Sequence, residues 1–185
     1  MDKVQLIEAI RDFFYYGRSE EMRESYSKIH NITGVGTPPE KINWEEAEFL
    51  FNKLFVGPAK PIAPPIASVY LDPEEIVQGR VTASVREFYN TIGLSLEEAG
   101  SRPEDSIEYE LDACRYLLLL GEQVPEALDA YEGFINEHMN MWVGEFAEKG
   151  MNHCEDGSPV KDVLRLLASF IEQESKMTVK SKEMS

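Results

Sequence analysis

The sequence predicts an all-α fold, a globule of more than four packed helices. Three observations lead there. Apolar residues recur at three- and four-residue spacing along most of the chain. Glycines and capping residues punctuate those stretches at helix-like lengths. No stretch alternates as a strand does; "IASVYL" at 66–71 comes nearest, and its flanking prolines demote it.

The elements follow in order. Leu6, Ile10, Phe13 and Phe14 share one face, and Gly17 stops the first helix. Ser19 can cap a second helix through Met22, Tyr26 and Ile29. "NITGVGTPPEKI" is a loop. Asn43 with Glu46 forms a cap pair for a third helix through Trp44, Ala47, Phe51 and Leu54. Prolines at 58, 61, 64, 65 and 73 then forbid a helix through most of "GPAKPIAPPIASVYLDPEE". Asp72-Pro73-Glu74-Glu75 starts the next helix, with Val77, Val81, Val85, Phe88 and Ile92 as its stripe and Gly93 as its end. "SLEEAGSRPEDS" is a turn region. A helix from about Asp105 to Leu120 follows and closes at Gly121. Pro125 opens the longest helix, whose stripe is Leu128, Tyr131, Ile135, His138, Trp142 and Phe146, and Gly150 stops it. After the loop "NHCEDGS", Ser158-Pro159 begins a last helix lined by Val163, Leu166, Leu167 and Phe170. The polar tail, 176–185, reads as disordered.

Composition narrows the function classes. The chain has 185 residues, 43% of them hydrophobic, and a net charge of -16. That charge repels phosphates, which argues against nucleic acid and against an anionic membrane surface. It favours a basic partner. Cys114 and Cys154 stand in no paired motif, so no disulfide framework or zinc ribbon is readable. "MDKVQLIEAIRDFFYY" lacks the charge pattern of a signal peptide, and "YLLLL" is too short to span a bilayer. The reading is a cytoplasmic protein without stable membrane insertion.

Carboxylates crowd Glu104, Asp105, Glu108, Glu110 and Asp112, so a small hydrolase with an acid/base pair there is one reading; solvated, dipole-stabilising acids are the plainer one. His153, Cys154, Glu155 and Asp156 are adjacent, but no second ligand pair stands at metal spacing. "GVG" at 34–36 is too short for a nucleotide loop. The strip at 57–72 has two readings. Its backbone groups and apolar Ile62, Ile66, Val69, Tyr70 and Leu71 could grip a peptide, or those side chains could plug the core of a rigid crossover. A helical adaptor for an unrelated partner is a third functional class.

Three segments carry a resemblance. They are "EAEFLFNKLFVGPAKPIAPPIASVYLDPE", "RPEDSIEYELDACRYLLLL" and "FINEHMNMWVGEFAEK". They resemble the signature regions of the TorD/DmsD/NarJ family, maturation chaperones of molybdenum-containing oxidoreductases. Glu48, Leu54, Phe55, Gly57, Pro58, Pro65, Ser68, Val69 and Tyr70 fit the first pattern. Pro103, Asp105, Glu110 and Leu111 fit the second, and Phe134, His138, Trp142 and Phe146 the third. Ile66 and Ala67 replace the aromatic and Glu that often precede Ser-Val-Tyr, and Ser106 replaces the family His, so contacts made through those side chains would differ.

The resemblance implies a TorD-like all-helical fold of two lobes joined by a hinge near the second motif. The lobes would be 1–100, with the proline-rich loop 57–72, and 101–175. A monomer is expected, and a hinge between lobes would permit a domain-swapped dimer. It implies a non-enzymatic cytoplasmic chaperone for the apo catalytic subunit of a molybdopterin oxidoreductase. Such a chaperone binds a twin-arginine or related N-terminal signal segment and delays export until the cofactor is inserted. No resident cofactor is implied. Guanine nucleotide binding, attributed to some members, and a transient molybdopterin contact have no motif here. The client-binding residues would be Leu54, Phe55, Gly57, Pro58, Pro65, Ser68, Tyr70, Asp105, Glu108, Glu110, His138 and Trp142. The strip would form one apolar wall of a groove. Burying about 300 to 400 Å² there would supply roughly 8 to 10 kcal/mol gross. Asp105, Glu108 and Glu110 would lie on the surface and steer capture.

Overall fold

The computed structural model describes residues 2–72, 79–95 and 102–183, with side chains described as far as residue 177. Among these residues the fold is helical, as the sequence predicts, and the one β-type contact is an isolated bridge between Ile66 and Ser106.

Helix α1 spans Lys3–Tyr16, capped by the Asp2 side chain and stopped by Gly17 at φ 61°. Helix α2 spans Ser19–Thr33. Arg18, not Ser19, holds its cap position, because the Ser19 N–H donates to Glu48 Oε2 of the next helix at 2.7 Å. Helix α3, Trp44–Phe51, is capped by Asn43 Oδ1 and continues as a π turn over Asn52–Val56. Helix α4, Ser68–Leu71, is a single turn inside the proline-rich strip, which the sequence reads as non-helical. Its first amide is capped from elsewhere: the Ser68 N–H donates to Asp105 Oδ2 at 2.7 Å.

Helix α5, Arg80–Thr91, buries Val85 and Tyr89. Most of its expected start, Pro73 to Val77, lies outside the described residues, as does the lobe boundary near residue 100. Helix α6 spans Ile107–Leu120. The predicted longest helix is present as α7 (Glu126–Phe134), a π turn (Ile135–Met139) and α8 (Asn140–Met151). Leu128, read as core, is 40% exposed and instead covers Gly121 at the α6–α7 corner. Helix α9, Pro159–Glu183, runs past Ser175 and corrects the expected tail. With 25 residues it gains backbone bonds that local composition does not reveal.

The core is one apolar cluster drawing on residues from Leu6 to Ile171. Helix α1 packs on α2 and α6, and α8 packs on α9. Its aromatic centre joins Phe14, Phe51, Phe55 and Phe146, with the Phe51 and Phe55 rings edge to face at 4.9 Å. This centre fixes the π turn of α3 against α8, and so positions the strip that follows.

Candidate functional site

The strip is tied down along its length. Ala63 N–H donates to Leu54 O at 2.8 Å, Ala67 N–H to Asp105 O at 2.9 Å, and Ile107 N–H to Pro65 O at 2.9 Å. The Tyr70 hydroxyl donates to Pro64 O at 2.9 Å. These backbone groups therefore do not wait for a peptide; they join the first motif to the second. Tyr70 stacks on Trp142 at 5.7 Å, and Lys149 lies over its outer face. That contact joins the first motif to the third.

The second and third motifs meet at Glu110. One carboxylate oxygen accepts from His138 Nε2 at 2.6 Å, the other from Trp142 Nε1 at 3.1 Å. Glu110 and Trp142 are fully buried, and His138 is partly exposed. His138 belongs to the π turn. One extra residue in that turn rotates the helix face, so that His138 stacks on Phe134 at 4.9 Å while reaching Glu110.

Electrostatics follow from this burial. Desolvation alone would lower the His138 pKa, but the Glu110 charge and hydrogen bond outweigh it and hold it above its ordinary value. Burial pushes the Glu110 and Glu108 carboxyls up, opposed by His138 for the first and Arg102 for the second. Burial also pushes the Cys154 thiol up to about 11, away from reactive thiolate. Among the described residues no three His, Cys, Asp or Glu side chains gather as metal ligands would.

An open cleft of about 370 Å³ lies against this network, between α5 and the α7–π turn. Val85, Phe88, Ala130, Gly133 and Phe134 make it apolar, and Glu137 and His138 edge it. Phe88 and Phe134 stack flat at 4.5 Å. Glu126 and Asp129 are exposed on the same helix. The arrangement can hold an apolar side chain with a positive charge beside it. A second cleft of about 400 Å³, between the start of α3 and the 153–159 loop, has lining charges of both signs.

The predicted site residues divide. Ser68, Tyr70, Asp105, Glu110, His138 and Trp142 come together. Leu54 and Phe55 sit in the aromatic centre. Gly57 makes the turn that leaves the π helix, at φ 126°, and Pro58 beyond it is exposed. Pro65 serves through its carbonyl. Asp105, Glu108 and Glu110, expected on the surface, are buried. Each is drawn inside by a donor: Ser68 N–H, Arg102 at 2.6 Å, and the His138–Trp142 pair. An apolar cleft lies between α5 and α7, while Ile62, Ile66, Val69, Tyr70 and Leu71 of the strip are half-buried. Ala130, Gly133 and Glu137 escaped the sequence reading; a glycine inside the longest helix was the signal that could have found them.

The comparisons agree with the motifs. Residues 17–148 match the family model described as nitrate reductase delta subunit. A Vibrio cholerae protein named chaperone protein TorD is 29% identical over 130 residues, which cover 67% of this chain and 58% of that protein. A Salmonella typhimurium protein named Tat proofreading chaperone DmsD is 28% identical over 120 residues, covering 64% of this chain and 54% of its own. The chain thus spans little more than half the length of these curated relatives. A solved structure from Archaeoglobus fulgidus, described as a candidate redox enzyme maturation protein, has a TM-score of 0.65 and 19% identity. It covers 93% of this chain and 95% of its own, a likeness of fold. The chain belongs to the nitrate reductase delta subunit family, the TorD/DmsD/NarJ group that its three motifs resemble.

Proposed function

We propose that this protein is a cytoplasmic maturation chaperone without catalytic activity. Its client is the apo catalytic subunit of a molybdopterin oxidoreductase. It binds the client's N-terminal segment, of twin-arginine or related type, and delays export until the cofactor is in place. Chaperone names among the relatives support the general role. Among the described residues, no helix is long and apolar enough to cross a membrane.

One observation carries the specific reading: the apolar cleft between α5 and α7 with exposed acids along its helix. A segment with a basic front and an apolar centre complements it in both respects. In this account the apolar floor sets affinity, since an exposed ion pair adds only about 0.2 to 1 kcal/mol. The three motifs serve as the frame behind the cleft.

Calorimetric titration with the N-terminal peptide of a molybdopterin oxidoreductase catalytic subunit tests the reading. Saturable one-to-one binding that Phe88→Ala weakens about tenfold or more supports it. Equal affinity in a folded Phe88→Ala protein removes the cleft from the mechanism.

A further inference from the structure

Gly133 has no structural reason to be glycine. It lies in continuous helix between Glu126 and the π turn, where glycine is less favourable than alanine. It has no left-handed backbone, unlike Gly34 or Gly93. Apart from its chain neighbours and its own helix backbone, nothing stands within 4 Å of where its Cβ would be, as is also true of Gly144, whereas a Cβ on Gly121 or Gly150 would strike a leucine; Gly133, unlike Gly144, lines the apolar cleft. Gly133 lines the cleft together with Ala130 and the stacked rings of Phe88 and Phe134.

We infer that Gly133 sets the specificity of the cleft: its missing side chain leaves a slot for one large apolar side chain, leucine or phenylalanine, at the centre of a partner's basic-flanked segment. The inference rests on the proposed client binding and names the residue class the cleft selects. A methyl at 133 would stand where the incoming side chain must go, and a leucine would fill the slot from within. The apolar lining accounts for the choice of an apolar group. Exposed Glu126 and Glu137, on either side of Gly133 along the helix, account for the basic flanks.

The test uses the full chain and two synthetic N-terminal segments, alike in their arginines, one with large apolar residues at its centre and one with alanines there. Wild type should bind the first roughly ten- to a hundredfold more tightly, the worth of one buried large side chain. Gly133→Leu should lose most of that preference and Gly133→Ala part of it. Both should melt no lower than wild type, because leucine and alanine are better helix formers. A folded Gly133→Leu protein with unchanged affinity and preference overturns the inference while leaving client binding in place. A wild type that binds neither segment overturns both.

Discussion

His138 Nε2 and Glu110 Oε1 stand 2.6 Å apart, in a pair whose acid is fully buried and whose base reaches the edge of a cleft. Trp142, on the same long helix, holds the other carboxylate oxygen. Removing the acid leaves the buried Trp142 N–H and the partly exposed His138 without their acceptor. Glu110→Ala should therefore cost about 3 to 5 kcal/mol in urea unfolding. Glu110→Gln, which can still accept from Trp142, should cost about 1 to 3 kcal/mol. A loss under about 1 kcal/mol for Glu110→Ala would show that the pair does not hold the helices together.

The pair also predicts a pH dependence. The folded His138 pKa is raised, so its contribution is fully present below the unfolded value of about 6.5 and is lost as pH rises through the folded one. Glu110 and Glu108, also raised, act in the same direction in the window that begins near the ordinary carboxylate value. Stability should fall as pH rises from about 6.5 through the raised His138 value, and the slope should flatten in His138→Gln. Parallel urea midpoints for the two proteins across that range would contradict this.

Asp105 clamps the strip. Its side chain and its carbonyl take the amides of Ser68 and Ala67. Asp105→Ala should cost about 1.5 to 3 kcal/mol. It should also expose the 57–72 segment to limited proteolysis, while Asp105→Asn, which keeps an acceptor, stays more resistant. Equal cleavage rates for wild type and Asp105→Ala would show that the strip is held by its prolines alone.

Gly36 tests the other end of the molecule. At φ 91° it passes so close to Tyr26 and Asp162 that an added Cβ would collide with Tyr26 Oη. That hydroxyl donates to Asp162 Oδ2 at 2.9 Å, tying α2 to α9. Gly36→Ala should destabilise by about 1 to 3 kcal/mol. Gly133→Ala should be neutral or stabilising by up to about 1 kcal/mol. A reversed order in thermal melts would contradict the packing described here.

These contrasts mark what was legible in the sequence. Periodicity and caps located α1, α3, α6 and α7–α8, because Asn43 and Gly17 act on neighbours in the chain. Long-range satisfaction was not legible. Ser68 N–H finds Asp105 across 37 residues, and Glu110 finds His138 across 28. Such bonds pull carboxylates inside that composition places on the surface. The π turns at Asn52–Val56 and Ile135–Met139 were equally silent, since one inserted residue changes a helix face without changing its apolar pattern. The motifs named the residues of the frame; the cleft beside it came from the packing of α5 on α7.

In the proposed client binding, with the three carboxylates buried, the acids left to steer capture are exposed Glu126, Asp129 and Glu137. Raising ionic strength should slow association with a basic client peptide more than it hastens release. Stopped-flow rates over a salt series check this, and rates that ignore salt would contradict it.

Where a client peptide lies on the protein is read by a two-dimensional NMR titration of the isotopically labelled protein with the client's N-terminal peptide. Binding in the cleft should give shifts centred on Ser84, Val85 and Phe88 of α5 and on Ala130, Gly133 and His138. Shifts confined to the proline-rich strip, or to the cleft between Asn43 and Ser158, would contradict it.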